Sequence, residues 1–90
     1  MNKNELVDAV AERTGLARSD AARAIEAVLG AVTDALKAGD TVALSGFGSF
    51  VAKTRAARTG RNPRTGEALS IPASRAPAFK AGKALKDALN

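Results

Sequence analysis

Six cationic side chains, Lys53, Arg55, Arg58, Arg61, Arg64 and Arg75, fall in a stretch whose only acid is Glu67. Their chemistry is the binding of a polyanion. Such a run often forms nothing more than a solvated face, so its spacing has to be weighed. Arg55, Arg58, Arg61 and Arg64 recur at every third position, which would line one face of an arginine-rich helix. Gly60, Pro63 and Gly66 break that helix. Two strands and a turn are the conformation left, with Asn62-Pro63 and Thr65-Gly66 forming the turn. On a strand Arg55 and Arg61 point one way, and Arg58 and Arg64 the other. A ribbon lying in a groove flanked by phosphates pairs both sets, which points to nucleic acid. Pro63 serves the turn through its fixed φ near −65°, and its apolar ring at the tip is also shaped as a wedge for a base step. A lone two-stranded arm is marginal in water and is expected to order fully against its partner.

Other chemistry finds little support. Gly46-Phe47-Gly48-Ser49-Phe50 opens like a glycine-rich phosphate loop, but it has no third Gly, no Lys-Ser/Thr and no helix after it. It reads as a turn with a bulge. The chain has no His and no Cys, so Ser-His and Cys-His nucleophiles and the usual transition-metal ligand sets are excluded. The acids are scattered singly over helices. No enzyme activity, cofactor or metal is expected.

The elements that must position the arm follow from the pattern. Asn2 with Glu5 three residues on resembles a capping box, Asn standing in for Ser or Thr, Leu6, Val7 and Val10 follow at helical spacing, and Gly15 closes the segment. A second helix is predicted from between Ala17 and Ser19 to Lys37 or Ala38. Its stripe is Ile25, Val28, Leu29, Val32 and Leu36, and Gly39 ends it. Residues 41–44 are predicted as a strand, Ser45-Gly46 as a turn and 47–53 as a second strand. A bulge at Gly48 is needed there to bring Phe47 and Phe50, of opposite parity, to one face. The return strand is expected over 67–73. A closing helix over 81–89, after Pro77, turns Leu85 and Leu89 inward and Lys83 and Lys86 outward.

Ninety residues allow one domain, and without residues 53–75 roughly 65 to 70 remain to build a core. A body that small is marginal alone, and without Cys or His its remedy is oligomerisation. Charge is divided unevenly. Residues 1–52 hold five basic and seven acidic side chains, residues 53–90 nine basic and two acidic. A basic half on an acidic half is an oriented electrostatic footprint. No signal-like h-region and no apolar run of membrane length is present, so a soluble cytoplasmic protein is expected.

Taken together, Gly46-Phe-Gly-Ser-Phe50, Arg55-Ala-Ala-Arg58-Thr-Gly-Arg-Asn-Pro63-Arg-Thr-Gly66 and Pro77-Ala-Phe-Lys-Ala-Gly-Lys-Ala-Leu-Lys-Asp87 resemble the bacterial histone-like proteins of the HU/IHF family, closer to HU. The opening Met1-Asn-Lys-Asn-Glu-Leu is similar too, so the likeness spans the chain. The resemblance implies an α+β fold with an N-terminal helical hairpin, a three-stranded antiparallel sheet with a long β-ribbon arm, and a short C-terminal helix. It implies an intertwined homodimer, a heterodimer with a paralogue being the alternative. Residues 1–52 and 76–90 would form the dimerisation body and residues 53–75 the arm. HU and IHF are themselves type examples of minor-groove proteins whose arm-tip wedges kink DNA, and the resemblance implies the same here.

By that likeness Lys53, Arg55, Arg58, Arg61, Arg64 and Arg75 lie along the arm against DNA, and Asn62-Pro63 is the intercalating tip. Lys3, Lys80, Lys83 and Lys86 meet flanking DNA, while Phe47, Phe50 and Phe79 form the aromatic dimer core. The chain departs from the family pattern at Glu67 and Ser70, where Lys is usual, at Arg64, an extra charge, and at Ala17, where a helix cap is usual. The expected function is architectural: bending double-stranded DNA with little sequence preference and compacting the nucleoid. Alternatives are an IHF-like subunit with site preference, or a basic arm that grips RNA or an acidic protein. A membrane partner is not expected, since the basic half lacks a bulky apolar face.

The accounting of the core yields a first expected outcome. In sedimentation at low micromolar concentration the chain runs as a folded dimer, and a stably folded monomer there would contradict it.

Overall fold

Asn2 starts the first helix as its side chain predicts. In the computed structural model, which describes residues 1–90, Asn2 Oδ1 accepts from the Glu5 N–H at 2.9 Å. Helix α1 then runs Lys3–Thr14 and ends on Gly15, at φ 74°. Helix α2 spans Arg18–Lys37, and its first backbone bond, from Ala21 N–H, is accepted by the Ala17 carbonyl.

Residues 1–35 form one unit, a helical hairpin. Its core is small: Val7, Ala21 and Ile25 are buried, with Val10, Ala11 and Ala22 packed against them. Small side chains at 21 and 22 allow the two helices to approach closely, and Arg18 Nε donates to Asp8 Oδ1 at 2.6 Å beside them. The stripe expected to face the core is mostly uncovered. Ile25 is buried, but Val28 and Leu29 are 59% and 50% exposed. Val28 and Leu29 lie on the same face as residues 21 and 25, but Lys3 at the start of α1 already meets Glu26, so α1 ends before it can cover them.

Residues 36–90 form the second unit. Strand β1, Val42–Leu44, pairs antiparallel with β2, Gly48–Arg55. Beyond β2 come β3, Arg58–Arg61, β4, Ala68–Ile71, and β5, Ser74–Ala81, before helix α3, Lys83–Leu89. The body sheet has the order β1-β2-β5, and β3 and β4 form a separate two-stranded ribbon. No helix is long and apolar enough to cross a membrane.

Three sequence expectations are corrected. No bulge occurs at Gly48, because Leu44 pairs directly with Gly48 and Val42 with Phe50. Phe47 lies in the turn, where its N–H donates to the Leu44 carbonyl at 2.9 Å and Gly46 takes φ 78°. Strand parity therefore does not govern Phe47, and its ring reaches Phe79 at 5.5 Å between centroids, while Phe50 reaches the same ring at 5.0 Å. Second, the return strand is not confined to 67–73. It continues as β5 to Ala81 and holds Pro77 opposite Ala52. An edge strand tolerates a proline that a central one does not, so Pro77 does not announce a helix. Third, α3 accordingly begins at Lys83, and although Leu85 is half-buried, Leu89 is 81% exposed.

Two glycines fix this unit by what they lack. A methyl group at Gly48 would sit 2.5 Å from both the Lys80 carbonyl oxygen and Phe79 Cζ. At Gly82 it would sit 2.9 Å from the Phe47 carbonyl oxygen, which accepts the Gly82 N–H at 2.7 Å. The approach of β2 to β5 and the start of α3 both require a missing Cβ. Gly48→Ala should therefore destabilise the protein by about 1–3 kcal/mol, the range for overpacking a well-filled site. Gly30→Ala, which meets nothing within 4 Å in mid-helix, should be neutral or stabilising. Thermal unfolding of the two variants checks the contrast.

Candidate nucleic-acid interface

The ribbon is built from two paired stretches in one register. Arg55 faces Ser74 at the end of the body ladder, and Arg58 faces Ile71 at the start of the next. Each strand advances three residues across the gap, so pairing is interrupted without slipping. The interruption lies at Ala56-Ala57 and Pro72-Ala73. Pro72 has no N–H to donate to a ladder, which accounts for the break on that strand.

Opposed residues of an antiparallel pair share a face, so the register sorts the basic side chains. Lys53, Arg55 and Arg61 hold positions of one parity on their strand, and Lys80, opposite Ser49, shares their face. Arg58 and Arg75 belong to the other face. Thr59 and Ser70, directly opposed, stand beside Arg61 on the first face. The sequence does not place these two exposed hydroxyls together, because their shared face with Arg61 follows only from the strand pairing. Gly60, Leu69 and Ile71 make the second face more apolar. Ile71 Cδ1 lies 3.1 Å from where a Gly60 side chain would begin.

Charge on the arm is uncompensated. Arg55, Arg58, Arg61 and Arg64 are exposed, and the three ion pairs of the molecule, Lys3–Glu26, Arg18–Asp8 and Arg23–Asp20, all lie before residue 27. Glu67 sits close in sequence to four arginines and pairs with none of them. Lys53, Lys80, Lys83 and Lys86 are also exposed and unpaired. Two predicted site residues are engaged within the chain. Lys3 is held by Glu26. Arg75 Nη1 donates to the Lys37 carbonyl at 3.0 Å and the Leu36 carbonyl at 3.4 Å. These are the last carbonyls of α2, where a cation is favoured by unsatisfied acceptors and the helix dipole.

The tip is a closed loop. Asn62 N–H donates to the Glu67 carbonyl and Gly66 N–H to the Asn62 carbonyl, both at 2.8 Å. Gly66 takes φ 73°, a value that a side chain would strain. Arg64 N–H donates to Asn62 Oδ1 at 2.9 Å, and Glu67 N–H to Thr65 Oγ1 at 3.3 Å. Pro63 is exposed at this end, with Arg61 and Arg64 on either side of Asn62-Pro63 in the chain. A cationic ribbon with an apolar ring between two guanidinium groups suits a groove walled by phosphates.

Comparison with known proteins follows the same line. A family profile described as "Bacterial DNA-binding protein" matches residues 1–90. The chain is 60% identical over 89 residues to DNA-binding protein HU of Geobacillus stearothermophilus, covering 99% of each. It is 59% identical over 90 residues to DNA-binding protein HU-beta of Pseudomonas aeruginosa, covering 100% of each. Among solved structures, an Anabaena HU–DNA cocrystal structure is similar with a TM-score of 0.86 and 48% identity, over 99% of this chain and 97% of that one. HU from Thermotoga maritima matches with a TM-score of 0.71 and 32% identity over the whole of both chains.

Proposed function

Because this chain belongs to the bacterial DNA-binding protein family, with HU proteins as its relatives, we propose that it is a non-enzymatic architectural protein that bends double-stranded DNA with little sequence preference and compacts the nucleoid. One observation carries the reading: a paired ribbon with four exposed, unpaired arginines ends in an exposed proline. The body is proposed to be a homodimer. Phe47 and Phe79 are 46% and 41% exposed in the single chain, although both belong to the same aromatic cluster. Rings of that size contribute most when covered, and a second copy covers them; in the helical unit Val28 and Leu29 are exposed as well. Residues 1–52 and 76–90 then supply the dimer, and residues 53–75 of each copy supply an arm.

In this reading Lys53, Arg55, Arg58, Arg61 and Arg64 pair with phosphates along the minor groove, and Lys80, Lys83 and Lys86 continue the track. Arg75 has its donor on the α2 carbonyls, so its contribution is to steady the root of the arm. Phosphate pairing positions the protein but carries no sequence information. Sequence effects then arise through deformability, with pyrimidine–purine steps favoured as sites of kinking.

Two measurements separate grip from bend. If each arm sets three or four arginines against phosphates, a dimer neutralises about six to eight, and the log–log salt slope is roughly −5 to −7. Arg58→Ala should make that slope shallower by up to about two, one contact per arm, on every duplex alike. A flat salt response, or equal binding to RNA in competition with the duplex, would sink the reading.

Pro63 has neither charge nor N–H, so its replacement removes no released counterion and no donor. Pro63→Ala should keep the salt slope and lose induced bend, measured by energy transfer across one labelled duplex. Preference for nicked or pre-kinked DNA should weaken with the bend, because an unstacked step no longer has to be held open. A Pro63→Ala complex bent as fully as the parent would leave Pro63 with the turn alone.

A further inference from the structure

Asn62 stands beside the wedge, and its environment differs from that of every neighbour. From Arg61 to Ser70 it is the one residue that is partly buried. Its side-chain oxygen is turned into the loop, where it accepts the Arg64 N–H at 2.9 Å. Its own N–H and carbonyl are both used as well, toward Glu67 and Gly66. Pro63 cannot donate, so the Arg64 N–H is the first amide beyond Asn62 that needs an acceptor. Asn62 supplies it and thereby fixes the peptide on the C-terminal side of Pro63, while its backbone closes the loop across the base.

We propose that Asn62 is a positioning residue for the Pro63 wedge, acting through its Oδ1 acceptor and not through contact of its amide N–H₂ with DNA. The inference rests on the architectural reading above. Its physical basis is preorganisation: a ring whose orientation is set before binding loses less freedom on entering a base step. The acceptor role and a contact role make opposite demands on the side chain. Asp keeps the acceptor oxygen and loses the amide donor. Ala loses both.

The test compares Asn62→Asp and Asn62→Ala in the full-length dimer on one labelled duplex. Bend is read by energy transfer at saturating protein, so the weaker binding expected from the added carboxylate does not enter. Asn62→Ala should lose bend toward the Pro63→Ala level with its salt slope kept, and Asn62→Asp should restore it. Without DNA, the Arg64 amide should exchange roughly five-fold faster in Asn62→Ala than in the parent, the order expected for one net hydrogen bond. In Asn62→Asp it should remain protected. Thermal stability of the body should not move in either variant, which separates positioning from a general structural role.

Full bending by Asn62→Ala, or equal loss of bend in Asp and Ala, would overturn the proposal, the second because it would make the amide N–H₂ the working group. Failure of the underlying reading looks different. There, Pro63→Ala itself bends DNA fully, whatever the Arg64 amide does.

Discussion

At Gly48 two backbones approach so closely that a methyl group would collide with both the Lys80 carbonyl and the Phe79 ring. The contact anchors the first rung of the β2–β5 ladder, Gly48 opposite Ala81, and the rungs after it follow in unbroken order to Arg55 opposite Ser74. The same register continues into the ribbon. A slip of one residue would move each side chain to the other face and would exchange the faces of Arg55 and Arg61 with that of Arg58. The arm's charge pattern thus depends on a register held some distance away, where a missing side chain lets β2 and β5 come together.

The two units divide the work of charge and core differently. Residues 1–35 contain all the ion pairs and the three buried apolar side chains. Residues 36–90 contain the aromatic cluster, half open, and a ribbon with no ion pair. Each unpaired arginine is exposed and adds to a field that no ion pair in the arm neutralises, which suits attraction of a polyanion more than stability of the isolated chain. Open rings and open charge are two forms of one condition: much of the surface of this chain is left unsatisfied within a single copy.

Arg75 and Lys3 show how tertiary contacts redistribute roles among cations of identical type. Arg75 reads with the arm from its basic stretch, and Lys3 with the body contacts through the family likeness alone. Arg75 instead meets carbonyls at the end of α2, and Lys3 meets Glu26. Neither partner adjoins its cation in the sequence.

The sequence by itself determined the local elements and the character of the arm. Asn2, Gly15 and Gly39 mark helix ends through short-range hydrogen bonds and φ, and Gly60, Pro63 and Gly66 rule out helix whatever surrounds them. Charge asymmetry likewise needs no fold to be read, and the family likeness, which spans the chain, implied the topology. Tertiary structure decided what depends on distant partners. Pro77 reads locally as a boundary, yet the edge position opposite Ala52 admits it to a strand. Phe47 and Phe50 look like a parity conflict needing a bulge, yet a turn that releases Phe47 from the strand brings both rings to Phe79. The stripe from Val28 onward reads as core, yet α1, twelve residues against the twenty of α2, ends before it reaches those turns. Short-range chemistry is encoded where it acts, whereas pairing register, edge position and coverage are properties of residues far apart in the chain.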